Sequence, residues 1–236
     1  SNCYKPGLPK RIKVIQHGGK VRELTLFNVS DKVLQRAVLN VVEPEFDKRF
    51  LPCSHGYRPK RSVATAVQQV LSHRDSGKTW VLDADIRTCF DSIDQKLLSE
   101  RFRKVIKDWH INRLMEIWLL ASRKFRNVPV GIPIGAVLSP LWCNIYLHLL
   151  DARVSTERYA MVRYADDFAI FGEEETEIEK AKSLVQTTLS FLHLTLAEEK
   201  TRVINFKQGF CFLGVEFQND SCCYTWQQKR INVKGR

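Results

Sequence analysis

A chain of 236 residues, 44% of them hydrophobic, is long enough to bury a core as one large domain or two subdomains. Its 37 Lys plus Arg outnumber 26 Asp plus Glu, a formal charge of +11; this is the footprint of a nucleic-acid binder, although a merely basic soluble protein carries the same sum. No signal peptide and no apolar run of the ~18 residues needed for a membrane helix is present, so no span is expected. Seven cysteines (Cys3, Cys53, Cys89, Cys143, Cys211, Cys222 and Cys223) include no CxxC pair and none at zinc-ligand spacing from a histidine. Reduced thiols in a cytosolic protein are therefore expected, not a disulfide framework.

In chain order, KRIKVIQHGGKVRELTLF, within residues 10–29, reads as a basic hairpin turning at Gly18-Gly19. Ser30 suits the cap of a helix whose apolar residues Val33, Leu34, Ala37, Val38, Val41 and Val42 keep a helical period. The polar loop CSHGYRPKRS follows, and Ser62 is expected to cap the next helix, with Val63, Ala66, Val67, Val70 and Leu71 inward. TWVLDADI has the period of a strand: Leu82, Ala84 and Ile86 share one face, and Val81, Asp83 and Asp85 the other. Helices are expected over 93–107 and 111–124, with Asp91 and Ser92 capping the first.

VGIPIGAVLSPLWCNIYLHLLD carries a glycine-rich loop into a helix, with Ser139 as N-cap and Pro140 in the first turn. MVRYADDFAIF then reads as a buried hairpin with two adjacent carboxylates at its turn. A helix over about 174–193 follows, its EEETE segment suited to the positive N-terminal end. The short strands of LTLAEEKTRVINF, GFCFLGVEF and CCYTW close a mixed α+β order.

Asp166-Asp167 alone also fits a plain turn, since Asp is a good turn residue. Asp85, however, ends an apolar strand. If that strand and the hairpin share a sheet, three carboxylates converge at one end, and divalent cations must neutralise them. Mg²⁺ favours a few carboxylates plus substrate phosphates, and two such ions suit nucleotidyl transfer.

GKVREL, DKVLQRAV, SHGYRPKRS, LDADIRTCFDSID, GIPIGAVLSPLWCNIYLHLLD, YADD, LAEEKTRV and FLGVEF occur in this order over roughly residues 18–217. Together they resemble a group II intron-like bacterial reverse transcriptase, with features of the CRISPR-associated branch. The resemblance implies an α+β right-hand polymerase, fingers and palm, with an antiparallel palm sheet flanked by helices and no thumb in this chain. Residues 1–80 are expected to be mainly fingers and 81–236 mainly palm, with 107–140 partly returning to fingers. It implies RNA-templated extension of a DNA or RNA primer with dNTPs, using two Mg²⁺ for which Mn²⁺ can substitute. It also implies a bacterial cytoplasmic location and further domains or subunits of a longer protein. The settings it suggests are CRISPR spacer acquisition and intron retrohoming; a maturase-like module that binds structured RNA without turnover is the alternative.

Carried over position by position, the resemblance makes Asp85 and Asp166 metal ligands, with Asp167 a more peripheral carboxylate and the Ile86 carbonyl beside them. Phe90 falls where an aromatic ring selects deoxyribose, and a core phenylalanine is its other reading. Arg22 falls where an arginine reaches the incoming triphosphate, a bidentate task suited to guanidinium. Its usual lysine companion is replaced by Gln16 and His17, with Lys13 and Lys20 as substitutes nearby. Tyr57, Arg58, Lys60 and Arg61 are expected to meet template or primer, or else form a solvated loop. Gly131 and Gly135 let the backbone approach template and nascent pair. Lys200 matches a lysine that protonates pyrophosphate, or is a lone surface lysine. Where the family usually has Gln in G-x-P-Q-G, this chain has Ile134, which bears on nucleotide selection. Ser139-Pro140 follows, unlike the SQ of diversity-generating enzymes.

Overall fold

The computed structural model describes residues 4–15, 21–121, 129–226 and 229–232, with side chains through Tyr224 at that end. The chain forms two compact units, Ser1–Phe50 with Thr88–Tyr146, and Leu51–Arg87 with Leu147–Arg236.

In the first unit, β1 (Lys10–Ile15) pairs antiparallel with β2 (Val21–Leu26), Ile15 opposite Val21. The expected turn at Gly18-Gly19, with Gln16, His17 and Lys20, lies outside the described residues. Helix α1 (Val29–Asp47) is capped by Asn28, not Ser30: Asn28 is extended and its side chain accepts from the Asp31 amide at 2.7 Å. Ser30 lies inside the first turn and donates to Asn28 Oδ1. The buried face of α1 also differs from the expected stripe, for Asp31, Gln35, Val38, Leu39, Val42 and Phe46 point inward while Val33 and Val41 are exposed. The reason is polar. Asp31 accepts from the Tyr4 hydroxyl and the Gly7 amide, and Gln35 Oε1 accepts from the Val137 amide, so both can be buried and they turn the helix.

The helix expected over 93–107 is α4 (Gln95–Val105), and a separate short helix, α3 (Cys89–Ser92), precedes it. Asp94, not Asp91 or Ser92, caps α4, accepting from the Lys96 and Leu97 amides at 2.8 and 3.0 Å. Helix α5 (Trp109–Ala121) follows, and the rest of the expected 111–124 span lies outside the described residues. Helix α6 (Ser139–Thr156) begins at Ser139. That hydroxyl donates to the Pro133 carbonyl at 2.6 Å, and Trp142 N–H reaches the Leu138 carbonyl, so Ser139 is the first helical residue and not the expected cap.

In the second unit, α2 (Val63–Asp75) is capped by Ser62, as the sequence suggests; Thr65 completes a capping box, and Ala66, Val67 and Val70 are buried. An antiparallel sheet runs β4–β5–β3–β6, from β3 (Trp80–Asp85), β4 (Ala160–Tyr164), β5 (Asp167–Gly172) and β6 (Arg202–Asn205). Helix α7 (Glu175–Phe191) packs on β3 and β5 through buried Ile178, Ala181, Val185 and Leu189, with Glu175 and Glu177 at its positive end. A second antiparallel sheet joins β7 (Phe210–Phe212), β8 (Val215–Gln218), β9 (Ser221–Trp226) and β10 (Lys229–Asn232). The strand β10 has no counterpart in the sequence reading. Val81, Val162, Ala169 and Phe171 share a core with α2 and with Phe206, Phe210, Phe212 and Phe217. The six described cysteines form no disulfide.

Candidate active site

Pairing of β3 with β5 sets the site. The register places Val81 opposite Phe171, Asp83 opposite Ala169 and Asp85 opposite Asp167, so all six residues share one face. At one end that face is apolar core; at the other it ends in carboxylates. Asp166 occupies the turn of the same hairpin, between the paired residues Tyr164 and Asp167. The chain thus brings Asp83, Asp85, Asp166 and Asp167 to one end of a sheet. Desolvation raises the Asp167 pKa to about 6, with Asp166 and Asp85 pushing the same way and Lys200 opposing. Asp83 is also raised to about 6, first by desolvation; Arg202, opposite it on β6, counteracts, and Asp167 and Asp85 add to the rise.

Lys200 donates from Nζ to Asp85 Oδ2, and this bond raises the lysine pKa. Beyond β3, Ile86 bridges to Leu196. The bonds of that bridge run from Ala197 N–H to the Asp85 carbonyl and from Arg87 N–H to the Thr195 carbonyl, so they do not use the Ile86 carbonyl. Among the described residues, no three His, Cys, Asp or Glu side chains are gathered tightly enough to hold a metal ion. The donor set nevertheless fits a hard divalent cation: it is all oxygen, it repels itself, and a lysine ammonium already answers Asp85.

The YADD turn is held from both sides. Ala165 has φ of 60° and Asp166 does not, the pattern of a type II′ turn, which normally takes Gly at its first central position. For alanine this costs of order 1 kcal/mol. Arg163, fully buried on β4, donates from Nη1 to the Ala165 carbonyl at 2.8 Å. Its Nε and Nη2 grip Asp151 of α6 at 2.6 Å each, and Nη2 also reaches Ser54 Oγ at 2.9 Å. The loop at Cys53–His55 lies along β4, with Arg163 N–H bonded to the Cys53 carbonyl and His55 N–H to the Arg163 carbonyl. Gly56 then abuts the turn: a Cβ there would overlap the Ala165 amide nitrogen and stand 3.0 Å from the Tyr164 carbonyl carbon. The sequence reading missed Arg163, Asp151, Ser54 and Gly56. A signal existed in the one charged residue of the otherwise apolar AMVRY strand.

Of the loop residues singled out from sequence, Tyr57 and Lys60 are exposed with positive φ. Arg58 donates to the Leu51 and Ser54 carbonyls, and Arg61 to that of Pro52. Arg58 therefore braces its own loop. In the first unit, Arg22 is exposed on β2. The glycine-rich loop docks on that strand, with Thr25 N–H bonded to the Ile134 carbonyl at 2.7 Å and the Thr25 carbonyl 3.0 Å from where a Cβ of Gly135 would stand. Gly131 takes φ of 87°, donates to the Ile93 carbonyl and accepts from Gln95. The Phe90 carbonyl accepts from Ile132, and its side chain is half-buried.

Comparison with known proteins matches residues 9–217 to the family described as reverse transcriptase (RNA-dependent DNA polymerase). Protein YkfC of Escherichia coli K12 is 29% identical over 91% of this chain and 68% of its own. The group II intron-encoded protein LtrA of Lactococcus lactis is 34% identical over 63% of this chain, and this chain spans only 25% of it. The telomerase of Candida albicans, solved with a fragment of telomeric RNA, shares the fold at a TM-score of 0.63 and 14% identity, over 90% of this chain and 44% of that one. No helix among the described residues is long and apolar enough to cross a membrane. The motif order, the α+β fold with antiparallel sheets and the family match agree: the chain belongs to the reverse transcriptase family of RNA-directed DNA polymerases and is homologous to group II intron-encoded proteins.

Proposed function

We propose that this chain carries out RNA-templated DNA synthesis, extending the 3′-hydroxyl of a DNA or RNA primer with dNTPs by a two-metal mechanism. The observation that carries this reading is the register of Asp85 opposite Asp167, with Asp166 in the adjoining turn. Asp85, Asp166 and Asp167, with the Ile86 carbonyl, would hold two Mg²⁺, or Mn²⁺ in their place. Bound there, the ions supply the Lewis acidity that activates the primer hydroxyl and neutralises the leaving pyrophosphate. Its bond to Asp85 raises the Lys200 pKa, which supports reading the protonated Nζ as the group that would give a proton to pyrophosphate.

Arg22 binds the triphosphate, Phe90 selects the sugar, and Ile134 with Gly135 faces the nascent pair. Gly131, Tyr57, Lys60 and Arg61 contact template or primer. For Arg58 the bonds to its own loop favour bracing over direct phosphate contact. Residues 1–80 are read as mainly fingers and 81–236 as mainly palm, with 107–140 partly returning to fingers; the packing of α2 on the β4 sheet favours giving 51–80 to the palm. An intron-linked setting, in a longer protein of the cytoplasm of a bacterium, is supported by the likeness to LtrA. The formal charge of +11 and the same likeness also support a second reading, structured-RNA binding of maturase type without turnover.

Primer extension on an RNA template, in Mg²⁺ and dNTPs, separates the two. Template-dependent extension that disappears in Asp166→Ala with RNA affinity retained is expected. Extension unchanged in Asp166→Ala sinks the metal-site reading, and RNA binding without extension favours the second reading.

A further inference from the structure

Arg163 sits three residues before the carboxylate pair and has no exposed surface, so its charge is there at a cost that something must offset. Both oxygens of Asp151, the Ser54 hydroxyl and the Ala165 carbonyl answer it. An arginine needed only to neutralise Asp151 has no reason to reach the turn. The Ala165 peptide is also the one place in the hairpin where a side-chain-bearing residue takes a glycine conformation. Gly56 lies against the preceding peptide, Tyr164–Ala165, where no Cβ fits.

We infer that the buried Arg163–Asp151 pair, with Ser54 and the Gly56 backbone, is a clamp that fixes the Ala165 turn and so aims Asp166 and Asp167. Arg163 is a positioning residue acting through the turn. The guanidinium is suited because it is planar, permanently charged and able to serve Asp151, Ser54 and Ala165 at once, whereas an ammonium serves them through one nitrogen. The clamp's partners belong to three hydrogen-bonded pieces: α6, β4 and the loop bonded to β4. This inference rests on the reading of Asp166 and Asp167 as cation ligands.

The test is Mn²⁺ binding, followed by calorimetry, with the melting temperature of each protein recorded alongside. Four variants are compared with the parent: Arg163→Lys, Ala165→Gly, Arg163→Lys/Ala165→Gly and Asp166→Ala. Outer groups that orient metal ligands typically change affinity by about 10–100-fold, and a weakening at the lower end, about tenfold, is expected for Arg163→Lys. Ala165→Gly lets the turn adopt its conformation without the clamp, so in the double variant it should restore a good part of the lost affinity. A merely structural arginine gives no such rescue.

Folded Arg163→Lys with parental Mn²⁺ affinity overturns the clamp, and so does lost affinity that Ala165→Gly leaves untouched. Should Arg163→Lys not fold, Ser54→Ala removes one acceptor from the same guanidinium and takes its place. A weakening of about two- to fivefold supports the clamp there, and none overturns it. Parental Mn²⁺ binding in Asp166→Ala instead removes the metal-site reading, and the inference with it, whatever Arg163→Lys does.

Discussion

Gly56→Ala offers a test of the packing behind the YADD turn in which nothing charged changes. One methyl group is added. Its carbon overlaps the Ala165 amide nitrogen and stands 3.0 Å from the Tyr164 carbonyl carbon and 3.3 Å from the Ala165 Cα, where ordinary contact begins at 3.4 Å. All three are backbone atoms, so no side chain can swing away, and the loop and the turn must part by about an ångström. The loop cannot easily yield, since it is bonded to β4 at both Cys53 and His55. Forcing a group into packed structure typically costs about 1–3 kcal/mol. For a chain of this size that lowers the melting temperature by roughly 2–4 °C per kcal/mol.

The effect on synthesis should be larger than the effect on stability. The displaced Tyr164–Ala165 peptide leads directly into Asp166 and Asp167, and about 1 Å of misplacement at reacting groups can cost on the order of 100-fold in rate. Single-turnover primer extension at saturating dNTP, well below the melting temperature, reads this directly. Extension within twofold of the parent would refute the reasoning, because the turn would then tolerate the displacement or Gly56 would not abut it.

Two further outcomes follow from the buried charges. A carboxylate whose folded pKa is raised binds more protons folded than unfolded. Asp83 and Asp167, both near 6, therefore lower stability as pH climbs from about 4 to about 6, and the penalty is complete above that. Mg²⁺ should accordingly raise the melting temperature more at about pH 7.5 than at about pH 5, and an equal rise at both would count against a cation bound by this cluster. For the Arg163–Asp151 pair, both side chains fully buried, Arg163→Met leaves a lone carboxylate and should cost about 3–5 kcal/mol in urea unfolding. Arg163→Met/Asp151→Leu should recover most of this, and a double variant no more stable than the single one would show that the charge pair is not what matters.

Much was legible in the sequence because its signals are local. The period-two pattern of TWVLDADI and the apolar strands around YADD fixed which residues share a face, and the motif order tied Asp85 to Asp166 and Asp167 across a long separation. Ser62 gave a helix start because an N-cap is closed within four residues. What failed was decided by distant partners. The α1 face turned because Tyr4 and Gly7 answer Asp31, and the Val137 amide answers Gln35; no hydrophobic count along 29–47 reports that. Asn28 and Asp94 took the caps because the backbone bends there, and Ser139 gave its hydroxyl to Pro133. Arg163 could be seen as an odd charge in a buried strand, but its purpose depends on Asp151, Ser54 and Ala165 meeting in space. The sequence by itself determined the family and the acidic residues, since these are written in spacing and order. Only the tertiary structure decided how the acidic turn is held, since burying a charge is tolerable only where several separate segments converge on it.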